Sequence, residues 1–136
     1  MVTVNYLALL AAGIANMVVG FLWYGPVFGK VWIRLMGFTP QAMEEAKKKG
    51  MGKSYTIAFI GALVMGYMVN QFVFLLGSYN ALSALQDAVL MWLGFIATSF
   101  LGAVLWEGKS WKLYAFNIGY YLVVIYAQTL IFTYWV

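Results

Sequence analysis

Few residues of this 136-residue chain are of types that could carry out chemistry. Histidine and cysteine are absent, which removes the commonest general base, the commonest metal ligand and the thiolate nucleophile. The acidic residues are Glu44, Glu45, Asp87 and Glu107, and no acid–base constellation is visible among them. The sequence therefore predicts that the protein is not an enzyme, with no catalytic residue, no metal site and no cofactor.

The elements that position the remaining polar side chains must be membrane-spanning helices. Hydrophobic residues make up 65% of the chain and charged residues 9%, and a soluble domain of this size cannot bury so much apolar surface. Long apolar runs cover residues 4–24, 54–77, 84–106 and 113–135. At 1.5 Å per residue, each run reaches roughly 31–36 Å, enough to cross a hydrocarbon core of about 30 Å. The predicted fold is all-α: a single polytopic membrane domain, residues 1–136, forming a bundle of four transmembrane helices.

The basic residues set the expected orientation of these spans. All eight Lys and Arg residues lie either in residues 25–53 or between the third and fourth runs, as Lys109 and Lys112. The positive-inside rule makes that side cytoplasmic and places both termini outside. The net charge of +4 thus reflects topology and not nucleic-acid binding. Residues 1–3 carry no basic residue, so the first run is expected to be a retained span and not a signal peptide.

Residues 25–53 predict two short cytoplasmic helices. In the first, apolar residues recur at helical spacing opposite Lys30 and Arg34, and the helix ends at Gly37. The second begins with Thr39 as its N-cap. The amphipathic first helix is either an interfacial anchor or a docking surface for anionic lipid or a partner, and the anchor is the preferred interpretation.

Small residues recur at every fourth position in each span, which favours close helix packing in lipid. These ridges are Ala8, Ala12, Asn16 and Gly20; Ala58, Ala62, Gly66 and Asn70; Gly94, Thr98 and Gly102; Ala115 and Gly119. They predict a compact bundle and could equally form the interface of a homodimer or a higher homo-oligomer. Ser83 and Gln86 predict a capping box that starts the third helix.

Depth along the spans sorts the intramembrane polar side chains into two layers. The inner layer contains Asn16, Thr98, Ser99 and, at a shallower depth, Asn117, and the outer layer contains Asn70, Gln71 and Gln128. Such amides and hydroxyls either join helices through hydrogen bonds or line a ligand pocket or solute path. Joining is the preferred interpretation because none of them is charged.

The end of the first span carries a motif that is similar to a known family. Asn16 is followed by Trp23-Tyr24-Gly25-Pro26 and then by Phe28-Gly29-Lys30-Val31-Trp32. This stretch resembles the small bacterial membrane proteins catalogued as domain of unknown function 1761. The resemblance implies four spans in the bacterial cytoplasmic (inner) membrane and no particular substrate. If the motif forms a site, its members are Asn16, Trp23, Tyr24, Pro26, Lys30 and Trp32, although a turn at the interface explains it as well.

These observations leave two hypotheses about function. The first is non-enzymatic binding of membrane lipid, a small ligand or a protein partner; the alternative is an oligomeric transporter or channel for a small neutral solute. The candidate ligand or polar-path residues are Asn16, Trp23, Tyr24, Lys30, Trp32, Asn70, Gln71, Trp92, Thr98, Asn117 and Gln128. Because four short spans enclose little volume, a solute path would need two copies of the chain. Small multidrug exporters are similar in size, but they carry a glutamate in the first span near the position where this chain has Asn16. This difference argues against proton-coupled cation export.

Overall fold

The computed structural model describes residues 3–50 and 52–135, which are helical and contain no strand. The α-helices are α1 (Tyr6–Leu22), α2 (Gly29–Met36), α3 (Pro40–Lys49), α4 (Gly52–Leu76), α5 (Ala81–Met91), α6 (Leu101–Leu105) and α7 (Trp111–Tyr134). A kinked segment, Trp23–Val27, in which the backbone of Gly25 is not helical, follows α1, and a π-helical turn, Trp92–Ala97, follows α5. Four segments are long and apolar enough to cross a membrane: Tyr6–Val27, Gly52–Leu76, Ala81–Leu105 and Trp111–Tyr134. The predicted all-α, four-span fold is therefore confirmed.

The start of the third span differs from the predicted capping box. Asn80, not Ser83, is the N-cap: its side chain accepts a hydrogen bond from the Ser83 backbone N–H at 2.8 Å. Ser83 Oγ in turn accepts from the Asn80 N–H at 3.0 Å. The Ser83–Gln86 box was wrong because the backbone of Asn80 is already extended, which is the conformation that an N-cap requires.

Helix α7 is the centre of the bundle. It packs against α1, α4 and α5, whereas α4 and α5 touch little although a short turn joins them. Helix α2 packs on the first half of α7. We call the end of the bundle that carries α2, α3 and the start of α7 the basic end, and the end that carries residues 77–80 the opposite end.

Small residues mediate the packing of α1 on α4, as the ridges predict. Ala8 and Ala12 are fully buried, and a Cβ on Gly66 would approach Ala12 Cβ to 3.3 Å. The ridge predicted for the third span was wrong, because Gly94 and Thr98 are exposed. The π-helical turn Trp92–Ala97 changes the residue spacing there, so a four-residue repeat no longer stays on one face. Earlier in this span, Ala84 and Ala88 are the buried small residues.

The two short helices predicted between the first and second spans are present as α2 and α3. Gly37 ends α2 with a left-handed backbone (φ 72°), which favours glycine. Thr39 caps α3, and its Oγ1 accepts a hydrogen bond from the Ala42 N–H at 3.1 Å. At the start of α2, a Cβ on Gly29 would lie only 3.0 Å from the Tyr24 carbonyl oxygen. This close approach lets α2 begin directly beside the end of the first span.

Candidate functional site

A cavity of about 700 Å³ lies between α1, α4 and α7, in the half of the bundle nearer to the basic end. We call it the aromatic cavity. Its polar and aromatic lining residues include Asn16, Tyr24, Trp32, Tyr55, Tyr120 and Tyr121. Methionines and small residues form most of the remaining wall, and none of the described residues that line the cavity is charged.

Asn16 and Tyr120 form the polar corner of the aromatic cavity. The Tyr120 hydroxyl donates a hydrogen bond to Asn16 Oδ1 at 2.8 Å. Asn16 Nδ2 lies 4.0 Å from Met65 Sδ, a long and weak contact. The corner therefore retains hydrogen-bonding capacity: the Tyr120 oxygen can still accept, and the Asn16 amide still has an N–H that can donate.

Tyr24 forms one aromatic wall of the cavity. Its ring makes edge-to-face contacts with Trp32 and Tyr120, with ring centroids 5.2 Å apart in both cases. Its hydroxyl donates to Asn117 Oδ1 at 2.8 Å, which fixes the ring against α7. The motif at the end of the first span thus contributes directly to the cavity wall through Tyr24 and Trp32.

Trp23 packs behind this wall. Its ring lies 4.8 Å from that of Phe28 and 5.6 Å from that of Phe116. A Cβ on Gly119 would lie 3.4 Å from Trp23 Cζ2, so the missing side chain at Gly119 gives the indole its place. Trp23 Nε1 is buried without a hydrogen-bond partner in the described part of the chain. Trp23 therefore joins the first span to α7.

The rim of the aromatic cavity lies on the outer surface of α1 and α4. Phe21 and Tyr55, which line it, are 69% and 59% exposed. Ala58 and Gly61 are exposed on the same side, and a Cβ on Gly61 would meet open space. The cavity thus opens sideways from the bundle at the level of the spans.

A family model described as a protein of unknown function (DUF1761) matches residues 7–133. The chain belongs to this family. The match includes the motif from Asn16 to Trp32 and nearly all of the four spans, so the family inferred from the motif is confirmed. No curated protein and no solved structure matches this DUF1761 chain.

Gln128 lies in the bundle core of this DUF1761 member, outside the residues that line the aromatic cavity. It is fully buried, and its Nε2 donates to the Ala12 and Ala62 carbonyl oxygens at 3.1 and 3.3 Å. Gln128 Oε1 is buried without a partner among the described residues. This side chain joins α1, α4 and α7 at a level beyond the aromatic cavity.

Asn70 lines a smaller cavity of about 240 Å³ at the opposite end, together with Asn5, Ser78 and Thr133. Gln71, the next residue in the sequence, is half-buried and does not line this cavity. The Ser78 hydroxyl donates a hydrogen bond to the buried carboxylate of Asp87. Of the residues predicted to form the outer polar layer, Asn70 thus lines this cavity, Gln128 lies in the bundle core and Gln71 does neither.

Three further candidates do not reach the aromatic cavity. Trp92 Nε1 donates to the Ile118 carbonyl oxygen at 2.6 Å and ties the third span to α7. Thr98 is exposed, and its hydroxyl donates to the Gly94 carbonyl oxygen of its own span at 2.7 Å. Lys30 is exposed on α2. Thr98 therefore does not form a layer with Asn16, because the π-helical turn before it changes the face on which it lies.

Sequence reasoning missed Tyr120, Tyr121 and Met65, which line the cavity with Asn16. A signal for Tyr120 was present, since a hydroxyl inside a span needs a hydrogen-bond partner. Asn117 and Tyr120 are also three residues apart, a spacing that places them on one helix face. Met65 carries no comparable signal, because methionine fills cores as readily as sites.

Proposed function

We propose that this chain is a non-enzymatic membrane protein whose aromatic cavity binds an uncharged, amphipathic molecule dissolved in the membrane. The observation that carries the proposal is an uncharged, largely aromatic cavity with one hydrogen-bonding corner and a lateral rim. Its volume of about 700 Å³ lies in the range typical of small-molecule sites. Such sites commonly combine an apolar wall with a few placed polar groups.

The lining favours an uncharged ligand. An ionic group would lose its hydration in the cavity without meeting an opposite charge among the described lining residues. The Asn16–Tyr120 corner can instead bind one hydroxyl, carbonyl or ester group. The rings of Tyr24, Trp32 and Tyr121 provide an apolar surface for the rest of the molecule.

The position of the rim favours access from the membrane. Phe21 and Tyr55 are exposed at the level of the spans, where the surroundings of a membrane-inserted bundle are lipid chains. A ligand dissolved in lipid can reach the cavity without crossing water. Such access also suits lipid molecules themselves.

A brominated monoacylglycerol tests this proposal, because bromine quenches tryptophan on contact and Trp32 lines the cavity. In phosphatidylcholine vesicles, we expect saturable quenching that Trp32→Phe reduces. Gly61→Phe should fill the cavity and weaken binding at least about tenfold, a change of about 1.4 kcal/mol. The matched control, Gly94→Phe, adds the same ring at an exposed glycine that does not line the cavity. Quenching that does not saturate, or that both variants leave unchanged, would contradict the proposal.

We further propose that the basic end faces the cytoplasm of a bacterial cell, with the chain in the cytoplasmic membrane. The concentration of basic residues at this end supports this orientation. The absence of cysteine allows a direct test by single substitution. In intact cells, an impermeant maleimide should label Tyr79→Cys, whereas Lys48→Cys should react only after permeabilisation. The reverse pattern would contradict the orientation.

A second candidate function, an oligomeric transporter or channel for a small neutral solute, is favoured by the cavities at both ends. Between them, Val124, Gln128 and Thr129 are fully buried, so transport would require this layer to move or a second copy to complete a path. Glycerol flux into proteoliposomes tests this function. Flux above that of protein-free vesicles, raised by Gln128→Ala, would support transport; equal flux would leave ligand binding as the function.

A further inference from the structure

A second cavity at the basic end lies between α2 and the beginning of α7. It has a volume of about 540 Å³ and is distinct from the aromatic cavity, with which it shares no lining residue. We call it the α2–α7 groove. Its lining residues are Val31, Arg34, Leu35, Lys112, Ala115 and Phe116.

The two walls of the groove have the same chemical pattern. Each helix contributes three residues at spacing i, i+3 and i+4, of which one is a cation and two are apolar. Arg34 lies in the last turn of α2 and Lys112 in the first turn of α7. Two positive charges, one from each helix, therefore flank one apolar floor, which the four apolar lining residues form.

The two charges of the groove have no acidic partner within residues 3–50 and 52–135. Arg34 and Lys112 are exposed, and neither forms an ion pair with a carboxylate in the parts of the chain that the structure describes. Glu107 is the acid nearest to Lys112 in the sequence and lies in the preceding turn, outside the groove lining. The groove therefore favours an anionic occupant.

The anchoring of α2 shows that the groove is a fixed feature of the fold. Gly29 is buried at the start of α2, and the Phe28 ring packs edge-on against Phe116 at 6.0 Å. Phe116 thus belongs both to the aromatic cluster that holds α2 in place and to the groove floor. The distance between the two cationic walls is set by this packing.

We propose that the α2–α7 groove binds one anionic phospholipid, with its phosphate between Arg34 and Lys112 and the start of an acyl chain on Leu35 and Phe116. Charge complementarity selects the phosphate, and arginine and lysine are the residues that most often bind it. The apolar floor selects a lipid over a free phosphate, because a free ion would leave that floor exposed to water. Basic pockets between helices at the membrane surface are suited to such headgroups.

Titration of the full chain in a mild non-ionic detergent tests the proposal, with binding measured by native mass spectrometry. Dioctanoyl phosphatidylglycerol should bind at least about tenfold more tightly than dioctanoyl phosphatidylcholine, because two cations contribute to its retention. Glycerol 3-phosphate, which has the phosphate but no acyl chains, should not compete at millimolar concentration. Equal affinity for the two lipids, or displacement by glycerol 3-phosphate, would overturn the lipid assignment.

A pair of charge-matched variants separates this groove from general attraction to a basic protein. Arg34→Gln with Lys112→Gln should weaken phosphatidylglycerol binding about thirtyfold. Lys47→Gln with Lys48→Gln removes the same charge from exposed positions on α3 and should change the affinity less than about threefold. If both double variants lose affinity equally, the groove is not the site. Unchanged binding of the brominated monoacylglycerol by the first variant would show that the two cavities act independently.

Discussion

The hydroxyl of Tyr120 donates a hydrogen bond to Asn16 Oδ1 across 2.8 Å, joining residues 104 positions apart in the sequence. Within a span, neither group has bulk water as an alternative partner, so the bond connects α7 to α1. The same two side chains form the polar corner of the aromatic cavity. Joining helices and lining a cavity are therefore not exclusive roles for Asn16.

Tyr120→Phe should lower the free energy of unfolding by about 0.6–1.7 kcal/mol, which runs from the average to the maximum that double-mutant cycles give for interhelical hydrogen bonds in a membrane protein. The ring and its contact with Tyr24 remain, so the loss reports the hydroxyl. Tyr121→Phe is the matched control, because the Tyr121 hydroxyl has no hydrogen bond among the described residues. Denaturation in mixed micelles measures both variants. A loss of the same size in Tyr121→Phe would argue against a stabilising role for the Tyr120–Asn16 bond.

Gln128→Met and Gln128→Glu should differ in how much they change the free energy of unfolding. Methionine has a similar volume. It removes the two hydrogen bonds, but it also removes the unpartnered Oε1, so we expect the free energy of unfolding to change by less than about 1.5 kcal/mol. Glutamate places acidic oxygens against the Ala12 and Ala62 carbonyl oxygens and should cost about 3 kcal/mol or more. Unfolding measurements decide this, with Gln86→Glu on the exposed face of α5 as the control. Equal stability of the methionine and glutamate variants would show that Gln128 is not confined as described.

The apolar runs predict the spans because only a helix satisfies its own backbone in lipid. They do not predict the π-helical turn Trp92–Ala97, which contains no proline to mark it. That turn decides which small residues of the third span are buried. Asn80 and Ser83 are both good capping residues, so the sequence alone does not decide between them. The geometry of the short turn before α5 makes Asn80 the N-cap.

The candidate site was predictable in part. Asn16, Tyr24 and Trp32 come from one continuous motif and lie in one cavity. Tyr120 could not be assigned to that cavity, because α7 has no distinct apolar and polar faces and packs against all three of the other spans. Which of its faces meets α1 depends on the central position of α7. That position follows from packing between helices distant in the sequence and not from any local period.

Gly66→Leu should destabilise the bundle by about 1–3 kcal/mol, the usual cost of overpacking. A Cβ at Gly66 would lie 3.3 Å from both Ala12 Cβ and Leu9 Cδ1, and Ala12 cannot move without shifting α1. Gly94→Leu adds the same side chain where no atom lies within 4 Å and should not destabilise. Thermal unfolding of the two variants measures the difference. If Gly66→Leu is as stable as Gly94→Leu, α1 and α4 are not packed through this glycine.

A double-mutant cycle on Tyr24 and Asn117 should show that the motif and α7 are coupled. The Tyr24 hydroxyl donates to Asn117 Oδ1 at 2.8 Å, so Tyr24→Phe and Asn117→Leu each remove the same bond. The sum of the losses of unfolding free energy in the two single variants should exceed the loss in the double variant by about 0.6–1.7 kcal/mol. Thr98→Val provides the control partner and should be additive with Tyr24→Phe, because the Thr98 hydroxyl donates to a carbonyl oxygen of its own span. Additivity in the Tyr24–Asn117 cycle would mean that the motif is held against α7 by its aromatic contacts alone.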